Sequence, residues 1–228
     1  MALLLNIDTA TEIASVCITL NGLPLALKKN EHQKEHASFV HPAIAVMLEE
    51  TGQNLADIEA FAVTSGPGSY TGLRVGMAAA KGFCYALSKP LITINTLEVM
   101  TKAATDASGE AAKELLFCPM IDARRLEVFT AVYNADMHCI FSPQPVLLHE
   151  NFFEKYVADN KMLFFGSGSV KLKQMITNVN ACFSDIQFDA SNLGTIAEKV
   201  FHKKKFADIS HSVPTYFKDF KSIIQVNK

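Results

Sequence analysis

The sequence predicts an α/β protein made of two related halves, each a mixed sheet flanked by helices, and three observations predict it. Each half opens on an apolar strand that ends in an aspartate: Leu3 to Ile7 before Asp8, and Leu115 to Ile121 before Asp122. An alternating, hairpin-like run follows each, Ala14 to Leu20 in the first half and Glu127 to Tyr133 in the second. Helical and strand periods then alternate, so a β-β-β-α-β-α unit is used twice, with a cleft expected between the copies. With 228 residues, 49% of them hydrophobic, and a mean hydropathy of +0.16, the chain can bury one large core or two small ones.

Taken in order, Ala14, Val16, Ile18 and Leu20 share one face of the second strand. Asn21-Gly22 suits both left-handed positions of a type I′ turn, so Leu25-Ala26-Leu27 returns as a third, antiparallel strand. From His36, the residues Phe39, Val40, Ala43, Ile44, Met47 and Leu48 keep the spacing of an amphipathic helix that Gly52 ends. Phe61-Ala62-Val63 reads as a short buried strand. Leu73, Met77, Ala80, Cys84 and Leu87 mark a second helix stopped by Pro90, and Leu91 to Ile94 form a fifth strand, followed by a helix to about Ala107. Polar and small residues from Ala104 to Glu114 suggest the linker, which sets the two domains at 1–107 and 108–228.

In the second half, Asn134-Ala135-Asp136 marks the turn after the hairpin strand. Phe152, Phe153 and Tyr156 suggest a helix and Met162 to Phe165 a buried strand. Leu193, Ile196, Ala197, Val200 and Phe201 suggest a last amphipathic helix, with Ser191 as its cap.

Composition excludes some functions. Lys and Arg number 21 against 23 Asp and Glu, and a net charge of −2 leaves no electrostatic footprint for holding a polyanion unaided. Any nucleic-acid role requires a partner. Met1 to Leu5 lacks a basic segment and its apolar run is broken by Asn6 and Asp8, which fits neither a signal peptide nor a membrane span and leads us to expect a cytoplasmic protein. The five cysteines, Cys17, Cys84, Cys118, Cys139 and Cys182, lie far apart and are read as reduced core residues.

Two features carry candidate chemistry. Asp8 and Asp122, each ending the first strand of its half, are placed to face the cleft and hold a metal-bound nucleotide; they read equally well as polar turn residues. Ser65-Gly66-Pro67-Gly68-Ser69-Tyr70-Thr71-Gly72 lies between a strand and a helix, where backbone N–H groups and the helix dipole favour an anion, so Gly66, Gly68, Ser69 and Thr71 are candidate phosphate contacts. The loop lacks the Lys-Ser/Thr ending of a P-loop and is neither G-x-G-x-x-G nor G-x-S-x-G. By itself it fits equally a tight connection whose glycines serve positive φ and close packing.

Its extended form, SGPGSYTGLRVGMAAAKG, is more specific. Together with LLLNIDTAT, EHASFVHPAI, PLITINTLE, IDARRLEVFTAVY and VPTYFKDF, in that order along essentially the whole chain, it resembles the bacterial TsaB (YeaZ) family. That family is the accessory subunit for making threonylcarbamoyladenosine in tRNA and is related to the actin-like ATPases. The resemblance implies the actin-like ATPase (ASKHA, duplicated ribonuclease-H-like) fold. It also implies a non-catalytic subunit that pairs with a catalytic, TsaD-type paralogue and recruits a TsaE-type ATPase, meeting tRNA only through the complex and forming a homodimer when alone.

No membrane, catalytic residue or metal site is implied, and no cofactor is required, with ATP or ADP at the cleft or subunit interface as the candidate ligand. The catalytic paralogue's metal-binding N-H-x-x-x-H passage appears here as Asn95-Thr96-Leu97-Glu98-Val99-Met100, with neither histidine. Thr96 and Met100 are poor ligands for the metals a phosphate-transfer site recruits. The resemblance places the partner surface on the first two helices, at Phe39, Val40, Ala43, Met47, Arg74, Met77, Ala80 and Lys81; on helical spacing alone the apolar members read equally as core.

Rival readings remain. An independent nucleotide-binding phosphohydrolase would use Asp8, Asp122 and the glycine loop. A zinc peptidase-like enzyme would use His32-Gln33-Lys34-Glu35-His36, which has the H-x-x-E-H spacing of two zinc histidines and a glutamate base on one helix. The basic run His202 to Lys205, with Lys218 and Lys221, reads either as a tRNA-backbone contact or as cations complementing a helix C-terminus. Arg124 and Arg125 could meet a phosphate or a partner carboxylate, or simply be solvated.

Overall fold

A computed structural model describes residues 2–32 and 35–217. Its first sheet holds β1 (Leu3–Asp8), β2 (Ala14–Leu20), β3 (Leu23–Asn30), β4 (Ala60–Gly66) and β5 (Leu91–Asn95), in the order β3-β2-β1-β4-β5. The second holds β6 (Leu115–Asp122), β7 (Glu127–Tyr133), β8 (Cys139–Leu147), β9 (Lys161–Phe165) and β10 (Ala181–Phe183), in the matching order β8-β7-β6-β9-β10. In both, the first two neighbouring pairs are antiparallel hairpins and the fourth strand joins the first in parallel. The duplicated actin-like ATPase topology is therefore present.

The helices are α1 (His36–Thr51), α2 (Tyr70–Leu87), α3 (Thr96–Ser108), the single turns α4 (Glu154–Val157) and α5 (Ser169–Lys173), and α6 (Ala190–His202). They layer the molecule. α1 and α2 cover one face of the first sheet, where Ile7, Val16, Val40, Met47, Phe61, Met77 and Cys84 form a core. α6 covers the other face, Leu193, Ile196 and Ala197 packing on Leu4, Ala62 and Ile94. Gly194 permits the approach, since a Cβ there would lie 2.5 Å from the Thr19 methyl. α3 bridges the two sheets, Leu97, Met100 and Ala104 packing against Phe117, Ile121 and Phe165 while Val99 joins the core under α6.

The helices thus do not respect a division at 107/108. α3 leaves the first half to cover the second sheet, and α6 comes from the second half to cover the first, because each sheet has two apolar faces to bury and a crossing helix buries one of them. Among the described residues no helix is long and apolar enough to cross a membrane.

Local chemistry sets most boundaries. Asn21 and Gly22 adopt φ of 52° and 75°, as the type I′ reading requires, and Gly52 closes α1 at φ 65°. α6 is capped by Asp189, not Ser191: the Asp189 carboxylate accepts from the Ser191 N–H at 2.9 Å, and Lys29 holds its other oxygen at 2.5 Å. Burial works against the ionised form of Asp189, but Lys29 and Ser191 outweigh it and hold its pKa below the ordinary value. Cys17, Cys84 and Cys118 are buried and their thiols are pushed up to about 12, as expected of inert core cysteines. Cys139 departs from that expectation, lying exposed on the edge strand β8.

Candidate functional site: the inter-sheet cleft and the α1–α2 face

The carboxyl ends of β1 and β6 open on one cleft of about 1950 Å³, larger than most small-molecule sites. One wall is the first half's Ala10 to Ile13, His36 and the helix-starting segment from Gly68 to Gly72; the other is Ile121 to Arg125, Gly166, Ser167 and the Ser184–Phe188 loop. Gly68, Ser69, Thr71 and Asp122 line the cleft, and Asp8 and Gly66 are not among its lining residues.

Asp8 points inward. It is 1% exposed, accepting the Thr64 hydroxyl at 2.7 Å and the Ala10 N–H at 3.0 Å on a single carboxylate oxygen. Desolvation pushes its pKa up to about 6. A carboxyl that is fully buried and hydrogen-bonded to its own loop is poorly placed to ligate an ion in the cleft. Asp122 has the opposite setting: its side chain is largely solvated and Lys171 Nζ lies 2.7 Å away, while the Arg124 N–H donates to it at 2.6 Å. What burial it has raises its pKa, but Lys171 and Arg124 outweigh that and hold it below the usual carboxylate range.

The glycines of the loop serve packing. A Cβ on Gly68 would strike the Ala10 carbonyl, one on Gly72 the Thr9 carbonyl, and one on Gly76 the Thr9 hydroxyl. The loop is locked there by the Ser69 N–H donating to Ala10 O at 2.7 Å and by Thr9 Oγ1 donating to Gly72 O at 2.7 Å. Ser69 caps α2, its hydroxyl accepting from the Gly72 N–H at 3.3 Å, so it is already engaged by its own helix. Gly66 faces elsewhere: a Cβ on it would lie 2.9 Å from the Thr215 carbonyl.

The zinc reading loses its geometry, because α1 begins at His36 and His32 lies before it, so the two histidines do not share a helix face. His36 Nε2 is 3.1 Å from the Glu12 carbonyl and 97% of the residue is buried. Gln33, Lys34, Lys218 and Lys221 lie outside the described residues. His202 is 2.8 Å from Glu198 at the end of α6, the arrangement expected of a helix terminus. Thr96 and Met100 are both core residues, and Asn95 caps α3 by accepting from the Leu97 N–H at 2.9 Å.

On the partner helices, Val40, Ala43, Met47, Met77 and Ala80 are buried within this chain's own core, and Phe39 is half-buried against it. Arg74 and Lys81 are engaged by the segment that follows α6. Lys81 Nζ donates to Ser212 O at 2.9 Å, and Arg74 Nε donates to the Tyr216 hydroxyl at 3.0 Å while its guanidinium lies 3.8 Å from the centre of the Tyr70 ring. Thr215 N–H donates to Ser65 O at 2.7 Å, and Phe217 reaches the other half at Phe129, 5.8 Å between rings. Sequence reasoning had no signal for this strap, whose contacts with α2 and Ser65 span more than a hundred residues.

What the two helices leave open is a different set: Ala45 and Val46 on α1, and Ala78, Gly82 and Tyr85 on α2. Tyr85 is 84% exposed, and a Cβ on Gly82 would meet nothing within 4 Å. The periodic signal that marked Met77 and Ala80 belonged to the core; the outward face lies about a third of a turn away.

Comparison with known proteins adds the lineage. Residues 30–212 match a family model described as TsaD: tRNA N6-adenosine threonylcarbamoyltransferase. The chain is 27% identical to the tRNA threonylcarbamoyladenosine biosynthesis protein TsaB of Bacillus subtilis (strain 168), over 94% of this chain and 93% of that one. It is 28% identical to the protein of the same name in Escherichia coli (strain K12), over 95% of this chain and 94% of that one. Among solved structures, a Pseudomonas aeruginosa protein described as similar to peptidase YeaZ superposes with a TM-score of 0.84 at 24% identity, covering 96% of this chain and all of that one.

Proposed function

The chain belongs to the TsaB (YeaZ) family, within the group described by the TsaD tRNA N6-adenosine threonylcarbamoyltransferase model, and from that premise we propose that it is a non-catalytic subunit required for threonylcarbamoylation of the adenosine 3′ to the anticodon of tRNA. It acts by pairing with a TsaD-type catalytic paralogue in the cytoplasm and recruiting a TsaE-type ATPase, and it meets tRNA only within that complex.

One observation carries the accessory reading: the open apolar face of α1 and α2 at Val46, Ala78, Gly82 and Tyr85. An exposed glycine inside a helix costs roughly 0.5–1 kcal/mol relative to alanine, and nothing among the described residues lies close enough to Gly82 to require it. A second helix laid across Ala78 and Gly82 does require it, and Tyr85 beside them is the kind of aromatic anchor that interface centres favour. Alone, the same face would pair with a second copy. The cleft supports the negative half of the reading: Asp8 is turned away, Asp122 is held by Lys171, and Thr96 and Met100 are core. ATP or ADP in the cleft would meet Gly68, Ser69, Thr71 and Asp122.

The test is a dropout reconstitution with catalytic paralogue, ATPase subunit, threonylcarbamoyl donor and unmodified tRNA, scored as modified adenosine by mass spectrometry. We expect product only when this chain is present, and none from this chain alone. Equal product without it rejects the proposal. Ala78→Asp with Tyr85→Asp should abolish pairing without unfolding the chain.

A further inference from the structure

A second surface lies on the opposite wall of the cleft, at the turn joining β6 to β7. Arg124 and Arg125 occupy it with φ of 71° and 50°, both in the left-handed region that disfavours residues with a Cβ. No other two consecutive non-glycine residues among the described residues do so, and at β2–β3 this same chain meets the requirement with Asn21-Gly22. A backbone outlier that an Asn-Gly pair would relieve is retained here with two long cations, and retained strain is a pointer to function.

The local charges do not consume these cations. Asp122, two residues before Arg124, is bound by Lys171 at 2.7 Å and touches Arg124 only through the backbone N–H. Neither guanidinium has a hydrogen-bond or ion-pair partner among the described residues, and both line the cleft together with Lys173. Exposed aliphatic side chains surround the turn: Leu126, 50% exposed, follows directly; Leu147, 67% exposed, is across the ladder from Glu127; and Val170, 62% exposed, lines the same wall.

From this juxtaposition we propose that the β6–β7 turn docks an acidic segment of a protein partner, its carboxylates taken by Arg124 and Arg125 and an adjoining apolar side chain covering Leu126, Leu147 and Val170. Guanidinium forks match carboxylates bidentately, and aliphatic neighbours are buried by a protein chain. An RNA backbone would draw on cations alone and would leave the exposed Leu126, Leu147 and Val170 side chains without an apolar cover. The proposal deepens the accessory reading and rests on it only in taking the partner to be a subunit of the same complex.

Arg124→Asn with Arg125→Gly tests it, because this double variant of the full chain removes both charges while giving the turn its preferred residues. It should melt no lower than the wild type. Fluorescence anisotropy with a labelled peptide of alternating Glu and Leu should show binding to the wild type that salt weakens and the double variant loses at least about tenfold. Equal binding by the two proteins, or no binding by either, overturns the proposal; so does a single-stranded RNA of similar length that binds more tightly than the peptide and is lost with the same variant. In the dropout reconstitution, wild-type product from the double variant rejects this docking site and leaves the accessory reading standing. Product that never depended on the chain rejects the accessory reading, and the peptide measurement then judges the site alone.

Discussion

The two halves repeat one topology and divide its chemistry. β1 and β6 occupy the same place in their sheets and each ends in aspartate, yet Asp8 is sealed beneath Thr64 and Ala10 while Asp122 stands in the cleft beside Lys171. In both halves the connection after the fourth strand packs glycines onto the end of the first: Gly68 and Gly72 on Ala10 and Thr9, Gly166 and Gly168 on Met120. Geometry that sheets and connections require was therefore kept twice. The carboxylates, which no sheet requires, differ: Asp8 is buried against Thr64 and Asp122 faces the cleft, so the two do not face one ligand.

The largest effect that would break this comparison is at the glycines. Gly72→Val should cost at least about 3 kcal/mol, since the new side chain must displace backbone carbonyls rather than a flexible neighbour. For a chain of this size that is a fall of roughly 6–12 °C in Tm. A Gly72→Val protein that melts within a degree or two of the wild type would mean that the loop is not locked to Thr9.

Next comes the pair of aspartates, whose substitutions should act in opposite directions. Asp8 has a folded pKa raised from 3.8 to about 6, so its contribution is fully present below pH 4 and is lost as pH rises through 6. Asp8→Asn keeps an acceptor for Thr64 and Ala10 without the buried charge. It should match the wild type at pH 4 and exceed it by about 2–3 kcal/mol at pH 8, measured by urea unfolding. Asp122 has a lowered pKa, so its contribution is present above the unfolded value and fades as pH falls through the folded one. With its side chain 44% exposed, Asp122→Asn should cost well under about 1 kcal/mol at pH 7 after solvent screening, and less at low pH. If Asp8→Asn destabilised at pH 8, the buried carboxylate would have a counter-charge that its present neighbours do not supply.

A smaller effect separates the strap from the body. Tyr216→Ala removes one side of the Arg74 sandwich and should cost about 0.5–1 kcal/mol globally, with a larger rise in hydrogen exchange at Thr215, whose N–H bonds Ser65 O, than in β1. Uniform exchange would show that the strap is no separate unit. Of similar size but opposite sign, Gly82→Ala should raise the stability of the isolated chain by about 0.5–1 kcal/mol while weakening pairing, a split that neither a core glycine nor an idle one would give.

Much of the fold was legible in the sequence because it is written in short-range patterns. An apolar run ending in aspartate located β1, alternation located β2 and β7, the Asn21-Gly22 pair fixed its turn, and the amphipathic period placed α1, α2 and α6. Short or irregular elements were not legible: α5 and β10 are too brief for a period to register, and the helix suggested by Phe152, Phe153 and Tyr156 is one turn at Glu154–Val157. The cap of α6 was misplaced by two residues because Asp189 and Ser191 are both good caps; the capping box with Asn192, the Ser191 N–H bond and the salt bridge from distant Lys29 favour the former.

By itself, then, the sequence determined the order of the longer elements, the duplicated plan and the kinship of the chain, since each follows from local periodicity or from motifs in series. Tertiary structure alone decided which way those residues point. Helical spacing says that Met47, Met77 and Ala80 share a face, and only the sheet beneath them says that the face is inward. Likewise a strand-ending aspartate can turn to solvent or to core, and the difference between Asp8 and Asp122 lies in a hydroxyl 56 residues away and an ammonium 49 residues away, distances along the chain that no local pattern encodes.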